Sequence, residues 1–309
     1  MGETNPDCDS DEWSEWLLRH RHGGDVVREE AVRADVDGYV DRVLDAARLG
    51  PGMTLVDIGT GDGAVAFRAI QRAGPSLRVA LTDISSPLLR HAESIALQRS
   101  VADQCTFLRA PADDLRRISD ACADVVTTRA VLAYVRDKGA ALREFHRVLR
   151  PGGRVSIAEP ILQDDAFDVI ALKRMADEMS ATAGHEVLSM LHRFKAAQFP
   201  DTPEKLAESS ITNFSERDLL VLFQGCGFVD IHLELHIDVR RVGVVSWETF
   251  LRSSPHPWAA PHGVILEEGF TPAERATLEQ VLRPVVETGA SVATDRIAYV
   301  SATNPFARA

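Results

Sequence analysis

The sequence lacks the features that mark several large classes of protein. Its four cysteines, Cys8, Cys105, Cys122 and Cys226, contain no Cys-x-x-Cys pair, so neither a zinc site nor a disulfide framework is indicated. No apolar run approaches the length of a transmembrane helix, and the acidic N-terminus does not have the basic-then-apolar pattern of an export signal. We therefore expect a cytoplasmic protein with no bound metal.

Positive charge is scarce as well. The chain has 34 Lys and Arg against 46 Asp and Glu, a net charge of −12. This balance argues against binding to nucleic acid or to an anionic membrane surface, because both carry negative charge. We expect a small-molecule substrate, no nucleic-acid partner and no membrane partner, and the assembly is left open, a homo-oligomer included. The 309 residues are enough to bury a large core.

Residues 55–65, Leu-Val-Asp-Ile-Gly-Thr-Gly-Asp-Gly-Ala-Val, are the stretch around which the rest is organised. An apolar run breaks into glycines at 59, 61 and 63 and then returns to a helical pattern, which predicts a strand, a tight turn and a helix. Glycine allows positive φ and close approach of a ligand, and a helix N-terminus presents free N–H groups. Asp57 adds a carboxylate. The pattern predicts a site for a ligand with a ribose or a charged tail.

Strand and helix patterns alternate through most of the chain. The predicted strands are 53–58, 77–82, 105–109, 124–128, 154–158, 229–239 and 296–302. Strands that are separated by helices imply right-handed crossovers and a parallel sheet. We predict an α/β fold, a Rossmann-like doubly wound and mostly parallel seven-stranded sheet with N-terminal helices and a helical cap.

The predicted domains follow from where this alternation pauses. Residues 1–49 form an N-terminal helical lid, 161–210 a helical cap, and 50–160 with 211–309 the core, which carries an insertion at 240–290. Trp13, Trp16, Leu17 and His20 share one face of the first helix. That face either closes over a ligand or is ordinary packing.

Two interpretations of the glycine turn compete. Gly59-x-Gly61-x-x-Ala64 matches a dinucleotide fingerprint, with Asp83 at about the expected distance for a ribose hydroxyl. Asp57-x-Gly59-x-Gly61-x-Gly63 resembles the first motif of class I S-adenosylmethionine-dependent methyltransferases. Residues 144–154, Glu-Phe-His-Arg-Val-Leu-Arg-Pro-Gly-Gly-Arg, resemble the segment before the fifth strand of the ubiquinone and menaquinone C-methylases. Together these motifs favour the methyltransferase over a nicotinamide-dependent oxidoreductase.

The resemblance implies S-adenosylmethionine as the cofactor and assigns its contacts residue by residue. Relatives carry Gly-Asp-Ala after the third strand, and their Asp accepts a hydrogen bond from the adenine amine. This chain departs from that pattern because Pro111 stands at the Asp position, which leaves the Ala112 backbone and Asp113 as substitutes. The implied cofactor-binding residues are Asp57, Gly59, Thr60 and Gly61 near the methionine part, Asp83 on the ribose, Ile84, Ala112 and Asp113 at the adenine, and Thr128 and Arg129 near the sulfonium.

The resemblance also implies methyl transfer to a small organic acceptor, with carbon favoured over oxygen or nitrogen. A methyltransferase-like fold that binds the cofactor without transferring methyl is an alternative. Glu159 is the candidate base or substrate-orienting group, its alternative being a helix cap or an ion-pair partner. Arg129 pairs with an acidic substrate, with the cofactor carboxylate or with Glu159 or Asp57.

Histidines supply the remaining candidates. His185 and His192 lie seven residues apart, so they share a helix face that either covers the substrate or belongs to surface and packing. His185 is therefore the third catalytic candidate. Residues 255–261, with His256 and Trp258, form a proline-bounded loop that is either a pocket wall or scaffold.

Overall fold

The computed structural model describes residues 10–179 and 184–306. Seven strands form one sheet in the order β3-β2-β1-β4-β5-β7-β6. Strands β1 to β5 run parallel, whereas β7 runs antiparallel to both β5 and β6. The predicted Rossmann-like, mostly parallel seven-stranded sheet is confirmed. The strands are β1 Thr54–Ile58, β2 Arg78–Asp83, β3 Cys105–Arg109, β4 Ala123–Arg129, β5 Leu149–Pro160, β6 Val229–Arg241 and β7 Val292–Thr303.

Helices flank both faces of the sheet and precede it. The first, α1, continues through a π-helical turn, Trp16–His20, and a short 3-10 turn, Leu132–Tyr134, follows β4. The α-helices are α1 Glu12–Glu15, α2 Val26–Ala47, α3 Ala64–Ala73, α4 Ser86–Gln98, α5 Lys138–Val148, α6 Gln163–Glu178, α7 His185–Ala196, α8 Pro203–Glu208, α9 Glu216–Gly225, α10 Trp247–Arg252, α11 His262–Gly269 and α12 Pro272–Glu287.

Each face of the sheet has its own hydrophobic core. Helices α5 and α9 cover one face with Leu142, Phe145 and Phe223. On the other face α2, α3 and α4 pack Leu44 and Phe67 against the strands. These cores account for the alternating sequence pattern, because strands buried on both faces are apolar throughout. The two cores hold the carboxyl ends of β1, β2 and β4 at one edge.

The two long insertions pack together. Met190 and Phe194 on α7 share a third hydrophobic core with Trp247, Leu266 and Leu278 from the 240–290 segment. The sequence predicts 161–210 as a separate cap. Periodicity shows which face of a helix is apolar, but it does not show which part of the chain packs against that face. The structure joins α7, α10, α11 and α12 into one helical unit, and β6 and β7 are longer than predicted because they pair with each other as far as Arg241 and Val292.

Neither described range contains a helix that is both long enough and apolar enough to cross a lipid bilayer. Cys105, Cys122 and Cys226 are free thiols. Cys8 lies outside the described residues.

Candidate active site

A cavity of about 1330 Å³ opens at the carboxyl ends of the parallel strands. Its walls come from the turns after β1, β2, β3 and β4, from the N-terminal segment and from residues 208–222. Ligands bind at this edge in open α/β sheets. Nine of the ten residues assigned to the cofactor by sequence line the cavity: Asp57, Gly59, Thr60, Gly61, Asp83, Ile84, Ala112, Asp113 and Arg129.

The glycine turn brings backbone to the cavity wall. Gly59 has a φ of +61°, and a Cβ at this position would lie 2.4 Å from Cγ2 of Val131. Gly61 has a φ of +57°, and Leu17 of the N-terminal segment packs against it, so that a Cβ at Gly61 would lie 3.1 Å from Cδ2 of Leu17. Only glycine combines positive φ with this close approach. The turn therefore forms a cradle that a side chain would fill.

Asp57 lies under this cradle and organises it. Its carboxylate, 1% exposed, accepts hydrogen bonds from the hydroxyls of Thr60 at 2.6 Å and Thr127 at 2.8 Å. Burial raises the pKa of Asp57 to about 6, although the two hydroxyls oppose that shift. Asp57 thus ties the turn to the neighbouring strand β4.

Asp83, at the end of β2, holds the turn from the other side. One carboxylate oxygen accepts from the Gly61 amide at 2.9 Å, and the other accepts from the Ser85 amide at 2.9 Å. Burial raises the pKa of Asp83 to about 6. Ser85 in turn donates to Asp11 at 2.9 Å. The N-terminal segment is thereby hydrogen-bonded to the rim of the site.

Four arginines line the cavity, and two of them, Arg21 and Arg129, come close to each other from different parts of the chain; the other two are Arg136 and Arg143. Arg21 follows the N-terminal π-helical turn, and Arg129 ends β4. Burial, together with the charge of Arg129, lowers the pKa of Arg21 to about 10. Neither guanidinium forms an ion pair with a carboxylate of the two described ranges, although the charge of Asp62 acts on Arg21 and Asp57 lies near Arg129. Two guanidinium groups near each other and unpaired at the cavity wall form a site suited to an anion.

Three aromatic rings meet at the mouth of the cavity. Trp13, Tyr134 and Trp258 contact one another edge to face, with ring centroids 5.2 Å, 5.4 Å and 6.1 Å apart. The loop 255–261 is therefore part of the wall through Trp258. His256 in the same loop is instead buried, with Nε2 2.7 Å from the Gln198 carbonyl oxygen.

The structure corrects the assignments of Glu159 and Thr128. Glu159 is fully buried and does not line the cavity. Its carboxylate accepts hydrogen bonds from the Thr128 hydroxyl at 2.9 Å and from the amides of Val131 at 3.0 Å and Ala133 at 3.3 Å. Both oxygens accept from these donors and neither reaches the cavity, so Glu159 fixes the turn after β4 and is not positioned to take a proton from a substrate. Thr128 is its partner and does not reach the cofactor end.

His185 is also misplaced by the sequence analysis. It begins α7, outside the cavity lining, and its Nδ1 lies 3.0 Å from the Ala176 carbonyl oxygen. Nε2 of His192 lies 3.3 Å from the Asp201 carboxylate. Within residues 10–179 and 184–306 no three His, Cys, Asp or Glu side chains are grouped as metal ligands would be. Periodicity placed both histidines on one helix correctly, but not beside the cavity.

Sequence reasoning missed three residues of the wall. Arg21, Tyr134 and Lys138 were not singled out, and all line the cavity. Tyr134 and Lys138 follow the fourth strand, where the carboxyl edge of such a sheet turns toward its ligand. Their position after the fourth strand could have identified both residues from the sequence. Nothing local marks Arg21, since its place depends on how the N-terminal segment folds over the sheet.

The fold and the glycine turn define an α/β protein with a nucleoside-binding site at the switch point between β1 and β4. A family model described as a methyltransferase domain matches residues 49–210, just over half of the chain. The chain therefore belongs to the methyltransferase domain family. The predicted membership in the class I S-adenosylmethionine-dependent methyltransferases is confirmed, and with it the methyltransferase interpretation of the glycine turn.

Curated relatives share the central part of the chain. A nocamycin O-methyltransferase from Saccharothrix syringae is 34% identical over 39% of this chain and 42% of its own length. A ubiquinone/menaquinone biosynthesis C-methyltransferase from Hahella chejuensis is 34% identical over 43% of this chain and 55% of its own length. The chain thus spans about half the length of the curated relatives it matches.

Solved structures share the fold at low identity. The YcgJ protein of Bacillus subtilis superposes with a TM-score of 0.55 at 14% identity, covering 87% of this chain and 99% of its own. Phosphoethanolamine N-methyltransferase 2 of Haemonchus contortus, solved with S-adenosyl-L-methionine, superposes with a TM-score of 0.51 at 15% identity, covering 98% of this chain and 58% of its own.

Proposed function

We propose that this protein transfers a methyl group from S-adenosylmethionine to a small organic acceptor. The observation that carries the proposal is that one cavity joins the glycine cradle, the Asp83 carboxylate and an apolar, aromatic wall that includes Trp13, Tyr134 and Trp258. A cavity that is mostly apolar with a few polar groups suits a compact ligand. The bound cofactor would supply an electrophilic methyl group on a sulfonium, so the chain needs mainly to hold the acceptor close and in line with it.

The described residues fit the cofactor. The Gly59 and Gly61 cradle accepts backbone contact, and Asp83 offers a carboxylate to the ribose hydroxyls. Ile84 and Ala112 supply apolar surface for the adenine, and Asp113 a polar edge. Asp57 and Thr60 hold the cradle in shape. Arg21 and Arg129, which form no ion pair within the described ranges, would bind the cofactor carboxylate.

Replacement of Arg21 by methionine separates this carboxylate contact from the rest of the site. We expect Arg21→Met to weaken S-adenosylhomocysteine about tenfold, since a hydrogen-bonded charge contributes about 1.5–3 kcal/mol. Binding of 5′-methylthioadenosine, which lacks the amino acid part, should not change. Both affinities are measured by isothermal titration calorimetry.

Arg19→Met is the matched control, because Arg19 pairs with Glu15 on the exposed side of the same segment. It should leave both affinities unchanged. Equal weakening of the two nucleosides by Arg21→Met would show that Arg21 supports the lid and does not bind the carboxylate.

The pKa of Asp83 gives a pH dependence of cofactor binding. Ribose hydroxyls donate to the carboxylate, so protonation of Asp83 below pH 6 should weaken the binding of S-adenosylhomocysteine, at most about tenfold per pH unit.

The stability of the protein without cofactor should change with pH in the opposite direction. Asp57 and Asp83 bind protons more tightly when folded than unfolded, so their contribution to the free energy of unfolding rises as the pH falls from about 6 toward 3.8. Calorimetric titration with S-adenosylhomocysteine between pH 7.5 and pH 5 tests the predicted loss of affinity, and an affinity that stays constant over this range contradicts it.

The N-terminal segment is proposed as a lid over the cofactor. Leu17 covers Gly61, Asp11 accepts from Ser85, and the Trp16 indole donates to the Ser254 carbonyl oxygen at 3.2 Å. These contacts join the glycine turn to the 240–290 insertion. We accordingly propose residues 1–49 as the lid, 50–160 with 211–309 as the core, and 161–210 as a cap that packs on the insertion.

The acceptor is proposed to be methylated on carbon, in line with the C-methyltransferases among the relatives; the O-methyltransferase relative keeps oxygen as the alternative. The test is incubation with S-adenosylmethionine and a panel of small acceptors, with S-adenosylhomocysteine and methylated product quantified together. Matching amounts of both support the proposal, and nuclear magnetic resonance of the product identifies the methylated atom. Cofactor binding without any S-adenosylhomocysteine formation would favour a fold that binds the cofactor and does not transfer methyl.

A further inference from the structure

Lys138 is a buried lysine in the wall of the same cavity as Asp83. Its side chain is 6% exposed, lines the cavity and forms no ion pair with a described residue. Its Nζ donates to the carbonyl oxygens of Val135 at 3.0 Å and Ser210 at 2.9 Å. Nζ also lies 4.5 Å from the centroid of the Phe214 ring. The hydrogen-bond and ring partners of the ammonium group are therefore all neutral, and the charge of the buried Glu159 acts on it without an ion pair.

The three hydrogen bonds of Lys138 differ in length. An ammonium group has three N–H donors, and the two carbonyl oxygens accept from two of them at short distance. The third donor has the Asn213 amide oxygen at 3.5 Å, a long hydrogen bond that a closer anionic oxygen could replace. Burying a charge without pairing it to an opposite charge is destabilising. If its role were only to tie residues 210–213 to α5, a neutral donor would serve without that cost.

No carboxylate of the described residues forms an ion pair with Lys138. The charge of Glu159 opposes the effect of burial on the pKa of Lys138, but the Glu159 carboxylate accepts its hydrogen bonds from the turn after β4. Asp137 caps α5 by accepting from the Ala140 amide at 2.8 Å, and Asp218 accepts from the Ser215 amide and hydroxyl at 2.8 Å and 2.7 Å. Glu208 lies exposed at the rim. Burial lowers the pKa of Lys138 to about 8, so the group still carries its proton at neutral pH. The cavity wall thus contains a positive charge whose third donor makes only a long hydrogen bond.

We propose that Lys138 binds an anionic oxygen of the methyl acceptor, a carboxylate or an ionised hydroxyl beside an apolar body. This inference rests on the proposed function, since it assigns the acceptor class of the same cavity. Phe214, whose ring lies beside Nζ, lines the cavity together with Val135 and Leu222, and these side chains supply apolar surface for the acceptor. The substrate would be oriented by its charge at one end and by the aromatic rings at the other. Lys138 is a specificity-determining residue in this arrangement.

The test uses a matched pair of probes on the protein saturated with S-adenosylhomocysteine. 2-Naphthoate and 2-naphthamide have the same ring system and differ in charge. We expect the acid to bind about tenfold more tightly than the amide, which is the ratio expected for one charge-assisted hydrogen bond. In Lys138→Met the preference should disappear, and in Lys138→Arg it should persist. Lys205→Met, which removes an exposed lysine outside this cavity, should keep it.

A second probe distinguishes the two sources of the anionic oxygen. Bound 4-nitrophenol should shift toward its yellow phenolate form in the native protein and not in Lys138→Met if the site selects an ionised hydroxyl. A preference for the acid alone assigns a carboxylate. Equal affinities for the acid and the amide without a phenolate shift, or no detectable binding of any probe, contradict the proposal, as does a preference that survives in Lys138→Met. Calorimetric binding of S-adenosylhomocysteine in the same samples reports separately on the proposed function.

Discussion

Replacement of Gly59 by alanine should abolish cofactor binding and destabilise the fold. The added Cβ would lie 2.4 Å from Val131 Cγ2, on a backbone with a φ of +61°. Positive φ costs a non-glycine residue about 1–3 kcal/mol, and overpacking adds a similar amount. We expect the free energy of unfolding to fall by about 3 kcal/mol or more, by the sum of those two terms. Urea denaturation and calorimetry with S-adenosylhomocysteine measure the two effects.

Gly52→Ala isolates the backbone contribution. Gly52 has a φ of +78° and no heavy atom within 4 Å of its added Cβ. It should lose about 1–2 kcal/mol of stability and keep its cofactor affinity. If Gly59→Ala behaves like Gly52→Ala in both measurements, the glycine turn is not the cradle described.

Asp83→Asn should weaken S-adenosylhomocysteine about 100-fold, because the two ribose hydrogen bonds to a charged acceptor together contribute about 3 kcal/mol or more. The substitution also places an NH₂ group where the carboxylate accepts from the Gly61 or Ser85 amide. That contact would turn from attractive to repulsive and loosen the turn. Calorimetry gives the affinity, and the thermal midpoint reports the loosened turn.

Asp103→Asn serves as the control, since Asp103 is exposed beside β3 and does not line the cavity. It should bind the cofactor like the native protein. An Asp83→Asn variant with native affinity would remove Asp83 from the ribose assignment and would also remove the predicted pH dependence.

The cofactor end of the site could be predicted because its signals are local. Asp57, Gly59 and Gly61 lie within five residues, and the strand–turn–helix pattern fixes their positions relative to one another. Asp83 follows from the next strand of the same kind. The hydrogen bond that the Asp83 carboxylate accepts from the Gly61 amide joins the turn after β1 to the end of β2, and the two strands pair in parallel.

The acceptor end could not be predicted because its contacts join distant parts of the chain. Lys138 donates to a carbonyl oxygen 72 residues away, and Trp16 to one 238 residues away. Glu159 shows the opposite error. Its place at a strand end suggested a base, but the short turn after β4 folds back and supplies amides to its carboxylate. Periodicity predicts neither the direction of a turn nor which insertion covers a strand end.

The cofactor class is tested most directly by one pair of calorimetric titrations, with S-adenosylhomocysteine and with NAD. We expect S-adenosylhomocysteine to bind with one site per chain and NAD to give no heat. Heat from NAD with none from S-adenosylhomocysteine would contradict the methyltransferase assignment of the Asp57–Gly63 turn.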